Sequence, residues 1–223
     1  LTLSNIDNAG GVLSVDEVRG GDIRLGGALE NTVLSVADGA IVDVVSRIAD
    51  VTVSGAGAAR FATNQVAGLT VAEGGTVLIG DEANVFNDTL SVQSALVVDG
   101  TLRLEGSSQF GAARLEVDGA QSVTGSGVID LARRSDETGG GVYNELRFDG
   151  LSGAAETLVL GADLTIRGDG RFVASRSEDT IQVLSRLEGV EGSVLRLDDI
   201  DNAGAALRVD AGAGRVVLQG DLS

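Results

Sequence analysis

The strongest constraint on this chain is an alternation of apolar and polar residues, delivered in short bursts from one end to the other. Examples are Val12-Leu13-Ser14-Val15, Thr32-Val33-Leu34-Ser35-Val36, Thr89-Leu90-Ser91-Val92, Arg114-Leu115-Glu116-Val117 and Glu145-Leu146-Arg147-Phe148. One side of each burst is mainly Leu, Val or Phe, and the other is mainly Thr, Ser, Arg or Glu. Successive side chains of an extended strand point to opposite faces, so each burst reads as a strand with one buried and one wet side. Ile41 to Ala49 has a spacing that admits a turn or two of helix, but its valines favour a strand.

A recurring terminator closes the bursts. Asp38-Gly39, Asp99-Gly100, Asp118-Gly119, Asp149-Gly150 and Asp169-Gly170 follow strand-like runs. Asp caps a turn through its side chain, and Gly accepts a positive φ. The same dipeptide serves a two-residue hairpin or the corner of a solenoid rung, so the choice rests on spacing. Leu13 and Leu34 are 21 residues apart, as are Leu69 and Leu90. Two or three short strands per turn of roughly 20 residues is the pattern of a β-helix rung. The expectation is therefore a right-handed parallel β-helix, a β-solenoid of about ten rungs stacked at ~4.8 Å. The alternative is one or two antiparallel β-sandwiches, which would favour equal strands joined by tight hairpins.

The whole chain, 1–223, reads as a single solenoid domain, with the polar, Gly-rich segment 132–141 protruding as a loop. Ile6-Asp7-Asn8-Ala9-Gly10 is echoed by Ile200-Asp201-Asn202-Ala203-Gly204, which suggests a segment of a longer repeat protein. Neither terminus turns polar, as a capping rung would. Further rungs or other copies of the chain are therefore expected as partners at the ends.

Composition removes several kinds of chemistry. The sequence has no Cys, His, Met, Trp, Pro or Lys, and all 16 basic residues are Arg. Thiolate metal sites, disulfides, imidazole bases and Schiff-base lysines are thus excluded. A serine triad has no base to activate it. Thirty-three acids set the net charge at -17. Such a surface repels nucleic acid and anionic membranes, and no apolar run approaches the ~20 residues of a membrane-spanning helix. Neither nucleic acid nor membrane insertion is expected.

Two stretches carry a family resemblance. Val98-Asp99-Gly100-Thr101-Leu102-Arg103-Leu104 and Val123-Thr124-Gly125-Ser126-Gly127-Val128-Ile129-Asp130-Leu131 resemble the β-strand repeats of bacterial filamentous-haemagglutinin-like adhesins and autotransporter passengers. The resemblance implies a parallel β-helix projecting from the bacterial cell surface, or secreted from it. It also implies a structural and adhesive role, with host or matrix glycans or proteins as binding partners. It carries over no catalytic residue and no required cofactor.

The local candidates for sites are few. Asp198, Asp199, Asp201 and Asn202 crowd oxygen ligands around a turn, as Ca²⁺ requires. Counted from Asp199, the fifth and twelfth places of a calcium loop hold Ala203 and Asp210, so the match is partial. A solvated acidic turn explains the same residues. Arg133 and Arg134 form a local reversal of charge, suited to an acidic partner or to simple exposure on a loop. Gly55-Ala56-Gly57 and Gly125-Ser126-Gly127 lack a following helix and read as corners, not phosphate cradles. No catalytic residue is nominated, and the chain is expected not to be an enzyme. Two other functions share the fold: a self-assembling filament, sheath or surface-layer subunit, and a polysaccharide-acting β-helix or phage tail spike. The last would need two acids facing one groove, and 33 acids leave no particular pair distinguished.

Overall fold

The computed structural model describes residues 1–16, 23–45, 47–61, 64–80, 88–106, 111–119, 121–132, 144–151, 153–202, 205–210 and 212–221. Among them are 23 strands and no helix. Every strand pairing is parallel, and all strands belong to one continuous sheet. Parallel neighbours cannot be joined by a tight hairpin, so the antiparallel sandwich is ruled out. The fold is a parallel β-solenoid.

The registers divide the sheet into three faces. The first includes Ile41–Val44, Ala58–Phe61, Thr76–Ile79, Thr101–Leu104 and Val128–Leu131. The second includes Ala113–Asp118, Asn144–Asp149 and Gly170–Ala174. The third includes Val12–Val15, Thr32–Val36 and Thr180–Val183. On the first face Thr2, Arg24, Asp43, Arg60, Leu78, Arg103, Asp130, Arg167, Glu188 and Asp210 stand one above the next, which gives ten levels.

Rung length varies widely. Seventeen residues separate the stacked pair Val44 and Phe61, and 37 separate Leu131 and Gly168. Residues 133–143 fall within the longer rung and lie outside the described residues, and most of the predicted loop at 132–141 lies outside with them. Leu13 and Leu34 are register partners, as their spacing implies. Leu69 and Leu90 are not. Leu69 pairs with Leu96 on the third face, while Leu90 lies on the second opposite Asn64. Extra chain at 81–87 lengthens that rung and makes the second 21-residue step a coincidence. Within 41–49 the described residues belong to two strands, Ile41–Val44 and Arg47–Ser54, which begin on different faces.

The core is a column of aliphatic side chains. Val42, Ala59, Val77, Leu102, Ile129, Ile166 and Leu187 form one inward row on the first face, all fully buried. Each large member contributes about 1.5–3 kcal/mol by leaving water, and it does so only against the rungs above and below. Bulky residues are matched by small ones. On the second face Phe148 stacks between Val117 and Ala174, so the ring fills the space its neighbours leave.

One corner explains the glycines of the repeat. Between the third and first faces, Gly75, Gly100 and Gly127 stack so closely that a Cβ on Gly100 would stand 2.3 Å from the carbonyl oxygen of Gly75. A Cβ on Gly127 would stand 2.2 Å from that of Gly100. The two stretches that carry the family resemblance are neighbours here. Thr101–Leu104 pairs with Val128–Leu131, and the Ser126 N–H donates to Asp99 Oδ1 across the corner at 3.0 Å.

Candidate functional site

In-register stacking turns the outward residues of each face into rows, and the three faces differ in charge. On the first face, signs alternate from Arg24 through Asp43 to Arg60, and again from Arg103 through Asp130 to Arg167. Arg60 lies 3.4 Å from Asp43, while Asp130 is shared by Arg103 at 3.6 Å and Arg167 at 3.4 Å. Among the described residues, no Arg lies on the third-face part of any strand. Its main outward row is Val12, Val33, Thr52, Thr70, Val97 and Thr124. Farther along that face the hydroxyls of Thr157 and Thr180 are hydrogen-bonded at 3.0 Å.

The second face holds the densest polar arrangement. Glu145, almost fully buried, is flanked in its row by Arg114 at 3.5 Å and Arg171 at 3.0 Å. Beside it, Glu116 pairs in register with Arg147, and Asp118 with Asp149. Glu116, Asp118 and Asp149 each bring a carboxylate oxygen within 4.8 Å of the others. Asp118 is buried and accepts a 2.6 Å hydrogen bond from the Ser91 hydroxyl. Burial first, then the Asp118 and Asp149 charges, push the Glu116 carboxyl above its usual range, against the opposing pull of Arg147 and Arg114. Arg147 itself donates from Nε to the Ser175 hydroxyl at 2.7 Å. Chemically the cluster is an oxygen-only set with excess negative charge. It can retain a proton, and its donors are of the kind hard divalent cations take. The three oxygens brought together, one from each carboxylate, are fewer than the roughly six to eight of a calcium site.

Sequence reasoning missed this cluster. Both Asp residues belong to strand-ending Asp-Gly pairs, which was the visible signal. The register that brings Asp149 over Asp118 spans 31 residues and the insertion at 133–143, and no local pattern reveals it.

The acids chosen from sequence are placed differently. Strand Val194–Asp201 changes register between Leu197 and Ile200 as it passes from the second face to the third. Asp198 is half-buried near this bend, and Asp201 is exposed beyond it. Asn202 is buried and joined to Val183: its Oδ1 accepts from the Val183 N–H at 2.7 Å, and its Nδ2 donates to the Val183 carbonyl at 2.8 Å. Both ends of this carboxamide thus bind one rung to the next. The side chain of Asp199 lies outside the described residues, as do Arg133 and Arg134. The echoed phrase does not mark equivalent places either: Ile6 pairs on the second face with Gly27, and Ile200 pairs on the third with Ile181.

Other polar groups hold corners. The buried carboxylate of Asp179 accepts the Gly150 N–H at 3.2 Å, the Glu156 N–H at 3.0 Å and Arg176 Nε at 3.0 Å. That last bond, ahead of the other influences, holds the Arg176 guanidinium above its ordinary pKa. Near the final level, Asp210 is held below the usual carboxylate range by its 2.8 Å bond from Arg186 and by the Gly212 N–H. The geometry is that of a repeat protein whose polar groups join rungs. Comparison with protein-family models, with curated proteins and with solved structures yields no match, so the parallel β-solenoid is established by the structure itself.

Proposed function

We propose that the chain is a rigid, non-enzymatic segment of a bacterial surface or secreted protein, with side faces that attach to cell-surface or matrix glycans or proteins. The observation that carries this reading is the unbroken rung-on-rung register. It gathers the buried aliphatic residues into one internal column and leaves long regular faces outside. The resemblance of 98–104 and 123–131 to adhesin repeats supports the same reading. The third face, whose described strand segments carry Val and Thr outward in their main row and no Arg, offers a largely uncharged contact surface on an otherwise strongly acidic molecule. The test is attachment of the purified chain to cells and to immobilised matrix proteins and neutral or acidic glycans. Saturable binding that Thr52→Arg with Thr70→Arg weakens at least tenfold, while the variant remains folded, is the expected result. No saturable binding to any of these surfaces, together with release of reducing or unsaturated sugar ends from a polysaccharide, would overturn it.

A second reading, self-assembly into a filament or sheath, is favoured by the end levels. Leu3 at one end is 39% exposed and Val209 at the other is 45% exposed, although each stands in register with a buried residue, Leu25 and Leu187. Another rung or another copy of the chain would cover them. Concentration-dependent fibres under the electron microscope would support assembly. A single species in sedimentation at high protein concentration would argue against it.

A further inference from the structure

We draw no further inference here: the strongest candidate, the Glu116, Asp118 and Asp149 side-chain cluster on the outer side of the second face, is an acidic cluster whose buried member Asp118 already has the Ser91 hydroxyl as its partner, and no second observation points to a ligand there.

Discussion

Asn144 makes four hydrogen bonds from a fully interior position. Its Oδ1 accepts from Gly106 N–H at 3.0 Å and Ala113 N–H at 3.3 Å, and its Nδ2 donates to the carbonyls of Leu104 at 3.2 Å and Ala132 at 2.8 Å. Those backbone groups sit at a corner where the chain leaves one face for the next and the sheet ladder ends. A carboxamide can satisfy both donors and acceptors there, which no apolar residue can. Asn144→Ala is expected to lower unfolding free energy by about 3 kcal/mol or more, because each buried group left unpaired costs about 1–3 kcal/mol. Urea denaturation reads this directly; a loss under 1 kcal/mol would mean the corner relaxes or takes up water. Glu116 predicts the opposite sign. A carboxyl with a raised folded pKa favours folding only while protonated. Its contribution is full below the unfolded value of about 4.5 and is lost as pH rises through the folded value. At pH 7 the ionised group opposes folding. Glu116→Gln should therefore stabilise the chain at pH 7 by about 0.2–1 kcal/mol, the scale of a cross-strand charge pair, with little gain near pH 4. An equal gain at both pH values would remove the electrostatic explanation. Asp210 acts conversely: its pKa is lowered, so its contribution is present at neutral pH and disappears as pH falls through the folded value.

At the scale of the element, strands and corners are specified by different means. The strand Val12–Val15 and the strand Thr32–Val36 coincide with bursts visible in the sequence, because side-chain alternation is a local property of the pleat. Ala58–Phe61 shows no such burst, since Ala-Ala-Arg-Phe has no β-branched residue; its pairing with Ile41–Val44 and Thr76–Ile79 makes it a strand. Corners depend on closeness between rungs. The Gly127 site is a clear case, since a Cβ there meets only backbone atoms: Gly100 O at 2.2 Å, Asp99 C at 2.7 Å and Val98 O at 2.8 Å. No rotamer change relieves such a contact. Gly127→Ala is expected to destabilise by about 1–3 kcal/mol, as overpacking does. Gly153→Ala, where nothing lies within 4 Å, should be close to neutral. Thermal melting of the two variants makes the comparison, and equal melting temperatures would contradict the stacked-corner account.

For the whole molecule, stability is a sum over neighbouring rungs rather than the product of one central core. Leu102 and Ile129, in adjacent middle rungs, are fully buried, whereas Arg208–Asp210 near one end is exposed at every residue. Hydrogen exchange should follow this gradient. Amides of Thr101–Leu104 and Val128–Leu131 are expected to exchange slowest and those of Arg208–Asp210 fastest, measured by mass spectrometry after proteolysis. Uniform protection along the chain would instead indicate a single all-or-none unit. The charge ladders act at this scale too. Alternating Arg and Asp on the first face compensate each other from level to level, which leaves an acidic molecule with no long run of like charge on the described part of that face between Arg24 and Arg167.

The sequence by itself determined which side of each burst faces inward, where Gly-rich corners interrupt it, and that thiol and imidazole chemistry is absent. The first two are properties of a few adjacent residues, and the last is one of composition alone. Tertiary structure alone decided which strand lies over which. Rungs of 17 to 37 residues share one register, since lengthening a surface loop adds closure entropy only slowly while the aliphatic column fixes the strands. Spacing therefore did not locate Asp149 over Asp118, and it falsely aligned Leu69 with Leu90. The candidate calcium turn shows the same limit. Asn202 reads as an oxygen ligand in a line of acids, but the fold turns its carboxamide inward to Val183, because unpaired backbone at a buried corner must be satisfied by a group within reach.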